Sequence, residues 1–152
     1  DLYIQHDQEF ESLSLTLGYA YYDYPHRDGW DPSQEVFLDL SLSTLLNPSL
    51  SIHYDFDTGK GINGKLGVSH TMKSIIGNLS LGTNLFYWDN YYEVSGIPSV
   101  EIYGNTEYTL GPLTVTPSVS YFITWDNGDF PENCDCLVSD TWLFSINFAH
   151  NF

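Results

Sequence analysis

The sequence predicts an all-β fold, an antiparallel up-and-down transmembrane β-barrel of about 8–12 strands when complete, with about nine in this chain. Three observations predict it. Apolar residues alternate with small polar residues, the alternating segments are about 9–13 residues long, and the connections alternate between short and long. A tilted membrane strand needs about 9–11 residues, whereas soluble strands average about 5–6. Segment length therefore favours a membrane barrel over a soluble sandwich.

The alternation is clearest in residues 12–21, where Leu13, Leu15 and Leu17 alternate with Ser14 and Thr16. A shorter strand over residues 2–8 precedes this segment and is expected to pair with it. The same period-two pattern then predicts seven further strands, over residues 35–43, 49–56, 62–72, 79–87, 100–108, 113–123 and 142–148. Their apolar members include, in chain order, Val36, Leu38, Leu40, Leu50, Ile52, Leu66, Val68, Leu79, Leu81, Leu85, Val100, Ile102, Val115, Val119, Ile146 and Phe148.

The connections predict which end of each strand faces out of the cell. Four are short, at residues 9–11, 46–48, 74–78 and 111–112, and they alternate with connections at 23–34, 57–61, 89–97 and 127–140. Outer-membrane barrels have short periplasmic turns and longer extracellular loops. Aromatic residues gather at the predicted outer end, where they would form an interfacial girdle of Tyr21, Tyr54, Tyr87, Trp88, Trp125 and Trp142.

Composition excludes several classes of protein. Aromatic residues make up 16 % of the chain, which favours strands. The formal net charge is −16, so the chain would repel nucleic acids. No apolar run is long enough for a transmembrane helix. We expect residues 1–152 to form a single barrel domain. Because bacterial barrels normally have an even number of strands, a count of about nine leaves two alternatives. Either the first segment is not a barrel strand, which leaves eight, or the chain lacks N-terminal strands of a barrel of about twelve, which is the favoured interpretation.

The polar members of the alternation are mainly Ser, Thr, Gly and Asn, with few charges. A solvent-facing sheet would carry more Lys and Glu, so this face is expected to line a lumen. Its ionisable residues are candidate pore-lining groups: Glu35, Asp39, His53, Asp55, Lys65, Glu101 and Glu107. Because acids predominate, a pore would favour cations. The alternative is a hydrogen-bonded polar plug without conduction.

Other chemical motifs are weak. Asp55, Asp57 and Gly59 resemble a fragment of a Ca²⁺ loop but lack the distal Glu, so a tight turn is the favoured interpretation. The acidic segment 126–140, with Cys134 and Cys136, is interpreted as a solvated loop, and two cysteines make no disulfide framework. No metal site or cofactor is predicted.

An enzyme is not predicted either. The histidines, which include His26, His53 and His70, are scattered, and the chain contains no Gly-x-Ser-x-Gly motif. Three aromatic residues in the loops, Trp30, Tyr91 and Tyr92, would either stack on a sugar or partner or pack the loop bases.

The C-terminal segment 142–152 resembles the assembly signal of outer-membrane barrels. That signal ends in Phe with apolar residues at alternate positions before it, and the matching residues are Phe144, Ile146, Phe148 and Phe152. The resemblance implies recognition by the barrel-assembly machinery and contact with outer-membrane lipid.

The stretches 17–25, 34–38, 48–57 and 66–70 resemble the TorF-family porin-like barrels, as in Leu17-Gly-Tyr-Ala-Tyr-Tyr-Asp-Tyr-Pro25. The resemblance covers most of the chain and implies a fold and a bacterial outer-membrane location, but no established substrate. That family has strands before the point that corresponds to Asp1, so another segment or partner chain is expected to complete the barrel.

Three functions follow as hypotheses. The first is a porin-like barrel for passive diffusion of small, preferably cationic solutes. The second is a closed structural or adhesive barrel that docks a partner through its acidic loops. The third is a secreted β-sandwich that binds carbohydrate through surface aromatics.

Overall fold

A computed structural model describes residues 2–23, 32–74, 77–124 and 140–150. These residues form ten β-strands and no helix: β1 Leu2–Glu9, β2 Leu13–Tyr22, β3 Ser33–Leu42, β4 Ser49–Asp55, β5 Gly61–Ser74, β6 Gly77–Tyr91, β7 Val94–Gly96, β8 Ser99–Leu110, β9 Leu113–Thr124 and β10 Thr141–His150. No helix in the described ranges is long and apolar enough to cross a bilayer.

All ten strands belong to one antiparallel up-and-down sheet. Its order is β1-β2-β3-β4-β5-β6-β8-β9-β10, with β7 paired to β6 off this path. Ten strands less β7 leave nine on the main path, and these nine correspond to the nine segments that the period-two pattern predicts. The prediction of an antiparallel up-and-down all-β sheet is therefore confirmed.

Short turns set the register between neighbouring strands. In the turn after β3, Leu42 N donates to Pro48 O at 2.9 Å, and Ser69 N of β5 donates to Leu46 O at 2.8 Å. The resulting register aligns like residues across the sheet. One continuous apolar row passes through Leu15, Leu40, Leu50, Leu66, Leu85 and Val100.

The sheet has one polar and one apolar face, and burial is concentrated on the polar one. Except for Val94 and Pro98, every buried non-glycine residue in the described ranges lies on the polar face: Ala20, Ser33, Glu35, Ser51, Asp55 and Ser120. Large exposed residues populate the apolar face, among them Leu17, Val36, Tyr54, Leu66, Val68, Leu81, Tyr87, Ile102, Trp142, Phe144, Ile146 and Phe148. Substantial contacts between described strands occur only between neighbours in the sheet, so no second layer covers the apolar face in these ranges.

The connection predicted at residues 89–97 is instead largely a hairpin. β6 continues to Tyr91. Its pairing with β8 stops at Leu85, and beyond that point β6 pairs with β7 instead. Tyr92 and Glu93 form the turn with φ values of 49° and 66°. Positive φ at both central residues is the geometry of a type I′ turn, which matches the twist of hairpin strands.

The sheet is open in the described part of the chain. β1 and β10 are its two outer strands and do not pair with each other, so closure into a barrel is not observed. Because consecutive strands on the main path are antiparallel and nine in number, β1 and β10 run in the same direction. Both strands are almost entirely exposed.

Candidate functional site

The seven predicted pore-lining residues all lie on the polar face. Register pairs Glu35 with Asp55, Asp39 with Ser51, and Ser51 with Lys65. On the other side of the sheet, Glu101 faces Asn84 and Glu107 faces Asn78. The register thus brings these residues to one surface, while their role in lining a pore remains a prediction.

A hydrogen-bonded cluster, called the outer cluster, occupies the end of this face where β3 begins and β4 ends, which is the end that the sequence predicts to be the outer one. Tyr22 Oη donates to Glu35 Oε1 at 2.8 Å, and His53 Nδ1 lies 2.9 Å from the same oxygen. Because a carboxylate can only accept, His53 Nδ1 is the donor. His53 Nε2 lies 3.0 Å from Ser51 Oγ, and the Phe37 ring stacks on the imidazole with centroids 5.3 Å apart. These contacts hold the imidazole from both edges and from one face.

Asp55 organises the turn between β4 and β5. Its Oδ2 accepts from Ser33 Oγ at 2.5 Å, and its Oδ1 accepts from the Asp57 backbone N at 2.9 Å. Asp57 Oδ2 in turn accepts from Gln34 Nε2 at 3.1 Å. The carboxylates of Asp55 and Asp57 therefore accept hydrogen bonds from the turn itself and from β3. Such bonds are expected for an Asx-type turn and not for a Ca²⁺ loop. Within the described residues, no group of three or more metal-ligating side chains is arranged to hold an ion.

A second polar site lies further from the outer rim. A pocket of about 160 Å³ is lined by Ser14, Thr16, Asp39, Leu40, Ser41, Ser49, Leu50, Ser51 and Lys65. Asp39 Oδ1 is 4.0 Å from His53 Nε2, which joins this site to the outer cluster. Most of the lining side chains are small hydroxyls. The two charged groups in the lining are the carboxylate of Asp39 and the ammonium group of Lys65.

Two predicted residues lie on the other half of the sheet. Glu101 Oε2 accepts from Asn84 Nδ2 at 2.8 Å, so this carboxylate is tied to the facing strand. Glu107 is exposed near the opposite end of β8 from the outer cluster. The acidic residues are thus distributed along the polar face and do not form one compact centre.

Most of the predicted interfacial aromatics fall on the apolar face near the outer end. Tyr54 pairs with Val36, Tyr87 with Gly64, and the Tyr121 and Trp142 ring centroids are 4.7 Å apart. Tyr21 shares this face through its pairing with Gln34. Trp88 differs, because its pairing with Asn63 puts it on the polar face. Trp125 lies outside the described residues.

The predicted assembly signal lies on the outer strand β10. Phe144, Ile146 and Phe148 alternate on the apolar face and are 73 %, 59 % and 69 % exposed. Phe152 lies outside the described residues. So do His26, Trp30, Cys134, Cys136 and nearly all of the acidic segment 126–140, whose last residue, Asp140, accepts from Thr124 N at 3.0 Å.

The sequence prediction did not include three contributions to this end of the polar face, which are Tyr22, Ser33 and the β6–β7 hairpin. Tyr22 and Ser33 lie just beyond the predicted strand ends, although continuing the alternation by one step would have put both on the polar face. Tyr91 and Tyr92 were predicted as loop aromatics that stack on a sugar or partner or pack the loop bases. Tyr91 ends β6 and Tyr92 lies in the turn after it, and both line a pocket with Glu35 and Asp55, which the sequence did not indicate. No turn motif such as Asn-Gly signals their hairpin.

Comparisons with known proteins add no family assignment: no family model, no curated protein and no solved structure matches this chain.

Proposed function

We propose that this chain forms the wall of a porin-like β-barrel in a bacterial outer membrane and admits small solutes, preferably cations, by passive diffusion. One observation carries the proposal. The sheet buries polar side chains such as Glu35 and Asp55 and exposes large apolar ones such as Leu66 and Phe144. A water-soluble sheet does the reverse, because burying apolar surface drives its folding. A lipid-facing exterior and a polar lumen account for both halves of the observation.

Closure of such a barrel requires additional strands. β1 and β10 run in the same direction, so pairing them directly would form a parallel seam in an otherwise antiparallel sheet. An odd number of further strands restores the alternation at both edges if the strand next to β10 runs antiparallel to it. A second copy in the same membrane orientation also supplies an odd number of strands, but its β1 would run parallel to β10. We therefore propose that another segment of the polypeptide or a different chain supplies them.

The charge on the polar face supports cation preference. Its described acids include Glu35, Asp39, Asp55, Glu101 and Glu107, whereas its lysines in β5 are Lys65 and Lys73. Carboxylates at a narrow point concentrate cations and repel anions.

Bilayer conductance tests this function. The complete protein, purified in detergent together with the strands that close its barrel and added to a planar bilayer, is expected to open channels whose reversal potential in a KCl gradient has the sign for K⁺ selectivity. Absence of channels from protein with a folded barrel's heat-modifiable mobility on gels, or anion selectivity, would contradict the proposal.

A closed anchoring barrel is the second candidate, and one observation favours it. Tyr22, Glu35, His53 and Ser51 are joined by hydrogen bonds, as in the filled interiors of small barrels. This candidate predicts insertion without conductance, and loss of partner binding when residues 127–139 are deleted. A carbohydrate-binding sandwich receives no such support, because no second sheet covers the apolar face in the described ranges.

A further inference from the structure

A pocket of about 270 Å³ lies at the outer end of the polar face, beneath the β6–β7 hairpin. Its lining residues are Tyr22, Ser33, Glu35, His53, Asp55, Asn63, Tyr91 and Tyr92. The hairpin is fastened to the turn between β4 and β5, where Tyr92 N donates to Gly59 O at 2.8 Å. Small-molecule sites usually start near 300 Å³, so the pocket suits a ligand of only a few heavy atoms.

The floor of the pocket carries negative charge that the described residues compensate only in part. Glu35 is 6 % and Asp55 3 % exposed. Glu35 Oε1 accepts two hydrogen bonds, but Oε2 accepts none from any residue in the described ranges. In those ranges no Lys or Arg lies within 4.0 Å of either carboxylate, and His53 is the one basic side chain at that distance. A buried carboxylate without a full partner favours a bound cation.

The rim of the pocket is aromatic. The Tyr91 and Tyr92 rings meet edge to face with centroids 4.8 Å apart, and Tyr22 contributes a third ring. Aromatic faces attract cations through the ring quadrupole, and groups of such rings recognise alkylated ammonium ions. A metal ion fits less well, because no group of metal-ligating side chains is assembled among the described residues and both Asp55 oxygens already accept hydrogen bonds.

We propose that this pocket is a binding site for small alkylammonium cations, with Glu35 as the charged anchor and Tyr91 and Tyr92 as the aromatic wall. The proposal deepens the function proposed above by naming a class of cation, and it rests on that function for the route by which the ligand arrives.

Calorimetric titration of the same preparation, the complete protein in detergent with the strands that close its barrel, tests the site. Choline is the probe, and 3,3-dimethyl-1-butanol, which has the same shape without the charge, is the control ligand. Choline is expected to bind saturably and the alcohol at least tenfold more weakly. Equal binding of the two ligands, or no saturable binding of choline, would overturn the proposal.

Three variants assign the binding to these residues. Glu35→Gln keeps an oxygen for Tyr22 and His53 and is expected to weaken choline binding at least tenfold. Tyr92→Asn removes a ring but tolerates the positive φ of the turn, and a loss of about fivefold is expected. Glu9→Gln in β1 removes one exposed charge from the same face outside the pocket and should change binding less than twofold. Equal effects of Glu35→Gln and Glu9→Gln would refute the site.

Conductance measured on the same preparations separates the two proposals. Choline binding without channels would refute the pore and support the pocket. Cation-selective channels without choline binding would support the pore and refute the pocket.

Discussion

The phenyl ring of Phe37 in β3 lies across Gly18 of β2, its partner in the register. A Cβ atom added at Gly18 would collide with Phe37 Cζ. Tyr103 and Gly82 repeat this relationship between β8 and β6, where an added Cβ would come within 2.5 Å of Tyr103 Cζ. On the polar face, glycine thus leaves the space that an aromatic ring on the facing strand needs in order to lie flat.

Gly18→Ala is expected to destabilise the protein by about 1–3 kcal/mol, because Phe37 must leave its position and its stacking on His53. Urea unfolding in detergent micelles measures the change. Gly64→Ala is the matched control, since its added Cβ would meet Tyr87 O at an ordinary 3.5 Å. That control should be neutral or slightly stabilising, and an equal loss in both variants would contradict the role of the ring.

An arginine at Leu66 tests what the apolar face contacts. Leu66 is 54 % exposed near the middle of β5. If this face meets lipid, Leu66→Arg should cost about 2–4 kcal/mol of folding free energy in phospholipid vesicles. Leu45→Arg, in the turn after β3, should cost less than about 1 kcal/mol, because Leu45 lies outside the strands and is 74 % exposed. Similar small effects at both positions would indicate that Leu66 faces water.

Asp55→Ala tests the turn between β4 and β5. The substitution leaves the buried Ser33 hydroxyl and the Asp57 N–H without their acceptor, so we expect a loss of about 2–3 kcal/mol. Asp89→Ala, which removes an exposed carboxylate near the same end, is expected to change stability by less than about 0.5 kcal/mol. In the double variant Ser33→Ala/Asp55→Ala, part of the loss should be recovered. Additive losses would argue against a direct Ser33–Asp55 bond.

Glu93→Gly is expected to stabilise the β6–β7 hairpin by about 1 kcal/mol, because Glu93 has a φ of 66° that glycine adopts without strain. Amide hydrogen exchange at Tyr91 and Val94, which pair across the turn, reports the stability of the hairpin directly. Glu93→Ala removes the carboxylate but keeps Cβ, so it should not slow exchange. Slower exchange in the alanine variant as well would assign the effect to charge.

The same turn shows where the sequence was insufficient. Period-two alternation depends on neighbouring residues, so it predicted the nine main strands and put Glu35, Asp39 and His53 on one face. The hairpin could not be predicted, because Tyr92 and Glu93 are residues that rarely adopt positive φ. The strand β7 is also only three residues long, too short for an alternation to be recognised.

The sequence predicted which residues belong to the site but not how they are arranged. Alternation identified which ionisable residues share a face, but it contains no information on which of them lie opposite one another. That depends on turn length and register, which pair Glu35 with Asp55 and bring Ser33 onto Asp55. Tyr91 and Tyr92, the aromatic side of the pocket, are positioned by the β6–β7 hairpin. Because the hairpin was not predicted, the aromatic side could not be predicted either.

The outer edges of β1 and β10, with which no described strand pairs, have a practical consequence for handling the protein. β1 and β10 each present a row of backbone donors and acceptors, and β10 adds Phe144, Ile146 and Phe148 beside that row. Strand edges of this kind recruit other extended chains, and the outcome is amyloid-like stacking. Expressed without its complementing strands, the polypeptide should bind thioflavin T and form fibres in dilute buffer, and a short peptide that pairs with β10 should suppress their growth.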